Sequence, residues 1–282
     1  MTIALRSDII AKVNYLTEVI DLDYNYHTHT YRCHHATGTD EEYVRRATKG
    51  GIKYMGFSDH MPLKFPDGTE SWYRIPVSEG KSYCDDIKAL AKKYKSEIDI
   101  TVGFEMEYYP EYFDSMLKDA LDYGGEYLIL GQHYTFAEDK WKKHTNDGNE
   151  SVDDLRDYVS VIINGMKTGV FTYVAHPDMY YFVGDEAIYK AEMRRICIAS
   201  RELNVPIEIN CQGIYKKRNY PCEAFWQVAG EEESPVVIGF DSHTAENAYD
   251  EESLKRAEEI IEKYKLNHIG KPKLVKIKEI CK

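Results

Sequence analysis

Short strand-like runs alternate with longer helical runs along the 282 residues, and this order constrains the fold more than any other feature. Apolar and β-branched runs predict seven strands, at Asp23–Tyr26, Tyr54–Ser58, Ile98–Phe104, Tyr127–Gly131, Phe171–Ala175, Pro206–Ile209 and Val236–Phe240. Helical patterns follow them at Asp40–Lys49, Ser78–Tyr94, Tyr112–Tyr123, Val152–Thr168, Asp185–Leu203, Pro221–Gly230 and Glu251–Tyr264. Such alternation is typical of parallel βαβ construction.

Seven βα units in series predict an α/β barrel related to the eight-fold TIM type, with one unit fewer. A doubly wound open sheet has a similar order of elements, and periodicity does not choose between the two. Lys271–Ile280 is interpreted as one more strand or as a segment that packs along the surface. Because no linker rich in Pro or Gly interrupts the pattern, we expect a single domain over residues 1–282.

The composition limits the partners of the chain. Lys and Arg number 36 and Asp and Glu number 48, which gives a formal net charge of −12 and argues against binding to nucleic-acid polymers. The first 22 residues have no apolar run long enough for a targeting or membrane segment. Six scattered cysteines without a CxxC pair favour a reducing compartment, so we expect a cytoplasmic protein without a membrane partner.

Metal-binding residue types cluster just after the predicted strands. Seven of the ten histidines lie there, together with acidic residues after the third and seventh strands. The residues are His27, His29, His35, His60, Glu105, His133, His176, Asp241 and His243. In a barrel the carboxyl ends of the strands converge on one face, where barrel enzymes carry their active sites. The sequence therefore predicts one metal site built from the whole chain.

The spacing of these residues supports the same interpretation. In an extended segment residues i and i+2 point to one side, so His27 and His29 can reach one ion, and so can Asp241 and His243. Imidazole and carboxylate ligands suit Zn²⁺, Mn²⁺ or Fe²⁺. The absence of cysteine from these positions argues against a structural zinc–thiolate site.

The pattern as a whole resembles the polymerase and histidinol phosphatase (PHP) family. The matching residues are His27-Thr28-His29-Thr30, Cys33, His35, Ser58-Asp59-His60, Glu105, His133, His176 and Asp241-Ser242-His243. Within the family, Cys33-x-His35 and the following Glu41-Glu42-Tyr43-Val44 are most similar to the monofunctional histidinol-phosphate phosphatases of histidine biosynthesis. The resemblance implies a distorted (β/α)7 barrel that holds two or three divalent metal ions (Zn, Mn or Fe).

The resemblance also implies how the ligands are shared. His27, His29, Glu105 and Asp241 would hold the first ion. Glu105, His133 and His176 would hold the second, with Glu105 as the bridge, and His35, His60 and His243 would hold the third. His34 is the neighbour of His35, but the family's spacing from the first histidine selects His35 and leaves His34 as a substrate contact or as an exposed residue without a role in the site.

The implied reaction is hydrolysis of a phosphate monoester by a hydroxide shared between two ions. His243 and Asp241 are the candidates for protonating the leaving group. Substrate contacts are predicted for Arg156, Arg74, Asn210 and His34, because phosphate needs a cationic partner and Asn210 ends the sixth strand. Two long loops, residues 61–77 and 134–151, carry the aromatic residues Trp72, Tyr73, Tyr134 and Phe136, which could pack on the imidazole of histidinol phosphate.

Three other functions remain open from the sequence. The same site could act on a nucleotide or another small phosphomonoester. A barrel amidohydrolase also uses an HxH motif after its first strand, although it commonly bridges its metals with a modified lysine, where this chain has Gln132-His133. A non-catalytic barrel could bind metal for stability. The native metals and the oligomeric state are not determined by the sequence.

Overall fold

The structure is a computed structural model that describes residues 22–140 and 143–281. Eight parallel strands form one curled sheet in the order in which they occur along the chain. They are β1 (Tyr24–Asn25), β2 (Tyr54–His60), β3 (Asp99–Met106), β4 (Tyr127–Gly131), β5 (Phe171–Ala175), β6 (Ile207–Asn210), β7 (Pro235–Gly239) and β8 (Asn267–His268). A doubly wound sheet would reverse its strand order at a switch point, so this consecutive order excludes that alternative.

Helices connect the strands and cover the outside of the sheet. They are α1 (Asp40–Lys49), α2 (Gly80–Tyr94), α3 (Phe113–Tyr123), α4 (Val152–Lys167), α5 (Glu186–Leu203), α6 (Cys211–Tyr215), α7 (Glu223–Glu231), α8 (Glu251–Tyr264) and α9 (Ile277–Ile280). The start of α1 illustrates how the sequence fixes a boundary: Thr39 and Glu42 cap each other's backbone N–H groups. The helix then buries Tyr43, Val44 and Ala47.

The sheet closes on itself at the carboxyl ends of the strands. Thr28, just beyond β1, and Ser242, just beyond β7, form a parallel bridge. Across it the His29 amide donates to the Ser242 carbonyl at 3.0 Å, and the Ser242 amide donates to the His27 carbonyl at 3.2 Å. The bridge puts the motif after β1 beside the motif after β7, so the predicted distorted barrel is confirmed at the end that carries the histidines.

The far end of the chain differs from the prediction. An eighth strand of two residues, β8, pairs with Pro235 and Val236 at the opposite end of β7. The segment Lys271–Ile280 is not a strand: it has no regular structure until the short helix α9 at Ile277–Ile280. Its Ile277 is buried, so the alternative of a segment packed on the barrel is the correct one. No helix in the described part of the chain is long and apolar enough to cross a membrane; residues 1–21, on which the prediction about targeting segments falls, lie outside it.

Candidate metal centre

Four buried ligand atoms, from β3 and from the segments just after β1 and β7, lie close together at the carboxyl end of the barrel. His27 Nε2 lies 3.5 Å from Glu105 Oε2 and 3.5 Å from Asp241 Oδ1. His29 Nε2 lies 3.4 Å and 3.1 Å from the same two oxygens. Ligand atoms about 2.0–2.2 Å from one ion are typically about 3.3–3.6 Å apart, so these four nitrogen–oxygen distances are close to those expected around a bound ion.

None of these four atoms makes a hydrogen bond within the described residues. Buried polar atoms in folded proteins nearly always have a partner, so four that converge without one need an explanation. A divalent cation supplies it, because it would satisfy all four at once and balance the two carboxylates. The residues present therefore fit the Zn²⁺, Mn²⁺ or Fe²⁺ that the sequence predicts.

Glu105 also faces a second group of ligands through its other oxygen. Glu105 Oε1 lies 2.8 Å from His176 Nε2 and 3.6 Å from His133 Nε2. With Oε2 in the first group and Oε1 in this one, the carboxylate can bridge two ions. Space for it comes from Gly131 at the end of β4, since a Cβ there would overlap Glu105 Oε1.

A third group consists of His35, His60 and His243, whose ligand atoms lie within 4.8 Å of one another. His35 Nε2 and His243 Nε2 are 2.9 Å apart, a distance at which two lone pairs repel unless a proton or a cation lies between them. The neighbouring His34 is exposed, has a left-handed backbone (φ 66°) and ends a 3₁₀ turn. The structure thus brings His35 into the cluster and leaves His34 outside it and outside the adjoining cavity.

Burial and neighbouring charges keep several of the candidate ligands deprotonated, which is the form that binds a metal ion. Burial alone would raise the pKa of Glu105 and of Asp241, but neighbouring histidines hold both well below their usual values. Burial and the charges of His243 and His29 lower the pKa of His35 to about 4. Burial also opposes a proton on His27, yet Glu208, Asp241 and Glu105 raise its pKa to about 10. A metal ion would displace that proton, so binding should release protons.

A ring of outer side chains fixes the second nitrogen of several ligands. The distances from the histidine Nδ1 to its outer partner are 2.8 Å from His27 to Glu208, 3.3 Å from His29 to Asp59, 2.8 Å from His133 to Glu107, and 2.7 Å from His243 to Gln212. Such partners orient the ring and set its tautomer. Glu208 and Gln212 are partners that the sequence analysis did not predict.

The sequence does contain a feature that points to a role for Glu208 in the site. It is an acid in the middle of the apolar strand β6, where it is fully buried. Buried carboxylates require partners, so an acid at that position points to a polar function. The space for its side chain is provided by Gly239 on β7, where a Cβ would overlap Glu208 Oε1.

We expect Glu208→Gln to weaken metal binding by about 10- to 100-fold, the usual effect of removing such an outer partner. The amide keeps the volume but loses the charge that holds His27 Nδ1–H at 2.8 Å. The measurement is the zinc dissociation constant from competition with a chromophoric chelator. Glu202→Gln, an exposed change at the end of α5, is the control; equal affinities of the two variants would contradict the role given to Glu208.

Three of the predicted substrate contacts have other roles. Arg156 is exposed on α4 and pairs with Glu192 at 2.9 Å on the outer helical layer, so its predicted phosphate contact is wrong. Arg74 is buried between Glu107 at 2.7 Å and Glu138 at 2.6 Å and does not line the cavity, so that prediction is wrong too.

Asn210 is the third of these residues. It is fully buried, and its Nδ2 donates to Glu208 Oε2 at 2.9 Å and to Asp241 Oδ2 at 3.0 Å. Its Oδ1 accepts the Gly213 amide at the start of α6. With both ends of the amide engaged, Asn210 positions Asp241 and does not reach a substrate, which corrects its predicted role.

A cavity of about 240 Å³ opens over the metal centre. Its lining has an aromatic part formed by Trp72, Tyr73 and Tyr134, and a cationic part formed by Lys216 and Arg218. Phe136, predicted with the aromatic group, instead lines a separate cavity. Sequence analysis missed both cations because it did not predict α6, which follows β6 without a loop and leads the chain across the mouth of the barrel.

Fold and site together define a barrel protein whose histidine and carboxylate side chains can hold metal, beside a cavity that has a cationic part. The PHP domain family model matches residues 25–212, two thirds of the chain. The chain therefore belongs to the PHP family, as the motifs predict.

Individual relatives agree with this assignment. A protein of Deinococcus radiodurans named "Probable histidinol-phosphatase" is 25% identical over 230 residues, covering 77% of this chain and 85% of that protein. The histidinol-phosphatase of Bacillus subtilis is 31% identical over 115 residues, 38% of this chain and 42% of its own length. The solved histidinol phosphate phosphatase of Lactococcus lactis, complexed with zinc, L-histidinol and phosphate, has a TM-score of 0.66 at 17% identity. That alignment covers 87% of this chain and 95% of the Lactococcus chain.

Proposed function

We propose that this protein is a metal-dependent histidinol-phosphatase that hydrolyses L-histidinol phosphate to L-histidinol and phosphate in histidine biosynthesis, a cytoplasmic pathway step. The observation that carries the proposal is the set of four unpartnered ligand atoms at 3.1–3.5 Å beneath a cavity with cationic and aromatic parts. The names of the relatives support the choice of substrate.

The ligand groups are proposed to hold two or three divalent ions, with Glu105 shared between the first two. Such ions supply hydroxide near neutral pH and neutralise charge on phosphoryl oxygens. The roles of the protein's own side chains then follow from their positions. Glu208, Asp59, Glu107 and Gln212 keep the ligand imidazoles oriented, and the barrel wall buries every proposed ligand except the exposed His35.

The cations of the cavity are proposed to bind the phosphate group. Arg218 makes no ion pair within the described residues, unlike Arg74 and Arg156, so its guanidinium is available to a ligand. A planar guanidinium can donate to two phosphate oxygens at once, and the Lys216 ammonium adds a point charge. The same charges would stabilise the additional negative charge that develops in phosphoryl transfer.

The aromatic part of the lining is proposed to receive the imidazole of the substrate. Tyr73 and Tyr134 stack with ring centroids 6.1 Å apart, and Trp72, 72% exposed, extends the wall towards solvent. Offset and edge-to-face packing on such rings favours an aromatic substrate over an aliphatic one. Asp241 and His243 line the cavity and are proposed to act at the leaving oxygen by accepting hydrogen bonds from a water molecule, which delivers the proton.

The test is phosphate release from a panel of monoesters by protein of known metal content. We expect kcat/KM for histidinol phosphate to exceed that for nucleoside 5′-monophosphates and glycerol phosphate by at least about tenfold, because the aromatic wall is proposed to fit an imidazole ring, whereas the phosphate contacts are common to all the esters. Equal rates across the panel would favour the alternative of a general small-phosphomonoester phosphatase. Fewer than about two ions per chain in fully active protein would contradict the shared-hydroxide mechanism.

A further inference from the structure

A second cavity, of about 210 Å³, lies beside the segment that follows β5. It is lined by Asp178, Tyr180, Tyr181, Phe182, Gly184, Glu186, Tyr189, Asn219, Cys222 and Ala224. It has no lining residue in common with the cavity over the metal centre. Its chemistry can therefore be considered separately from the phosphatase site.

The buried polar group of this cavity is the carboxylate of Asp178, a residue that is 1% exposed. Its Oδ2 accepts the Cys222 amide at 2.6 Å and the Trp226 indole N–H at 2.8 Å. Its Oδ1 makes no hydrogen bond within the described residues, although it is buried. Leaving a buried acceptor unpaired is costly, so a position where one borders a cavity points to a ligand that donates to it.

Aromatic rings form much of the surrounding surface. Tyr180, Tyr181, Phe182 and Tyr189 line the cavity, and Phe182 and Tyr189 stack with an angle of 14° between their planes. The faces of such rings attract cations, most strongly where water is partly excluded. A carboxylate next to aromatic faces is the combination that binds organic ammonium ions.

The charges of the lining favour the same kind of ligand. No Lys or Arg is among the lining residues, and a second acid, Glu186, stands at the exposed edge. Glu186 itself pairs with Lys190 at 2.7 Å, which leaves Asp178 as the unpaired acid. The acidic lining would repel a phosphate ester, whereas the ammonium group of an amine without phosphate would be attracted to the Asp178 carboxylate.

We propose that this cavity is a binding site for a small organic ammonium ion with an aromatic or alkyl body. The ammonium group donates to Asp178 Oδ1, and the body packs against the tyrosine and phenylalanine rings. This site is distinct from the phosphatase centre and does not depend on which phosphate ester is hydrolysed there.

Benzylammonium is a suitable probe and benzyl alcohol its neutral counterpart of similar shape. Binding to the metal-loaded full chain is measured by the shift of the Trp226 indole N–H signal in ¹⁵N-labelled protein, because that group donates to the same carboxylate. We expect saturable binding of benzylammonium at least about tenfold tighter than that of benzyl alcohol. Equal affinities, or no change in this signal, would overturn the proposal.

Two variants locate the site. In Asp178→Asn the amide oxygen is fixed by the two donors at the Oδ2 position, so its NH₂ replaces the free acceptor and faces the ligand. We expect at least a tenfold loss of benzylammonium affinity. Arg218→Ala, a change in the other cavity, should leave it unaltered. If Asp178→Asn does not fold, Tyr181→Ala at the exposed rim should weaken binding several-fold, and unchanged binding there would count against the site.

Discussion

Glu105→Gln is expected to lower phosphatase activity by about 10³-fold or more, roughly 4 kcal/mol in activation free energy. Glu105 faces both the first and the second ligand group, with Oε2 3.4 Å from His29 Nε2 and Oε1 2.8 Å from His176 Nε2. A neutral amide bridges metal ions poorly, so one substitution should affect both groups. The measurement is kcat with histidinol phosphate at saturating zinc or manganese.

Metal content separates this explanation from general damage to the fold. We expect the variant to retain fewer ions per chain and to gain less thermal stability when zinc is added, because stabilisation by a ligand follows its affinity. Glu97→Gln, a change in the exposed turn between α2 and β3, should behave as the native protein. Full metal content and full activity in Glu105→Gln would show that the carboxylate is not a bridge.

Arg218→Ala is expected to reduce kcat/KM for the phosphate ester by about 100-fold without loss of metal. Arg218 lines the metal cavity and has no ion-pair partner within the described residues, so its charge is available to phosphate. Arg218→Lys should recover part of the loss, since lysine keeps the charge but not the two-pronged donor geometry. Steady-state kinetics and metal analysis on the same preparations provide both quantities.

Arg156→Ala is the matched control, because it removes the same side chain from an exposed helical surface. Arg156 pairs with Glu192 at 2.9 Å and lies outside the cavity lining, so we expect kcat/KM within about twofold of the native value and little change in stability. The reverse result, with activity lost in Arg156→Ala and kept in Arg218→Ala, would restore the sequence-based assignment of the phosphate contact.

The contrast between these two arginines shows what the sequence could and could not predict. Strand ends are marked by apolar runs and parallel order, so residues immediately after them, such as His60 and His176, could be placed on one face in advance. Arg218 lies eight residues beyond β6, past the short helix α6 and a turn. The direction of the Arg218 side chain depends on that turn, and a turn has no periodic sequence pattern from which the direction could be predicted.

Outer partners were hard to predict for a related reason. Glu208 is in a strand, but which ligand it orients depends on how β6 packs against β1 and on the space left by Gly239. Arg74 was predicted to contact phosphate because the sequence around it does not reveal that Glu107 and Glu138 enclose its guanidinium. Side-chain pairing between distant loops is decided by tertiary packing and not by local sequence.

The bridge between Thr28 and Ser242 has a consequence for how the protein is made. It joins ligands that lie far apart in the sequence, so the first ligand group lacks Asp241 until β7 and the segment after it have been synthesised. A nascent chain cannot assemble the complete cluster before β7 is made, so complete metal loading must follow closure of the barrel. A chain cut short before β7 would therefore be distinguished from the full barrel by retaining fewer metal ions.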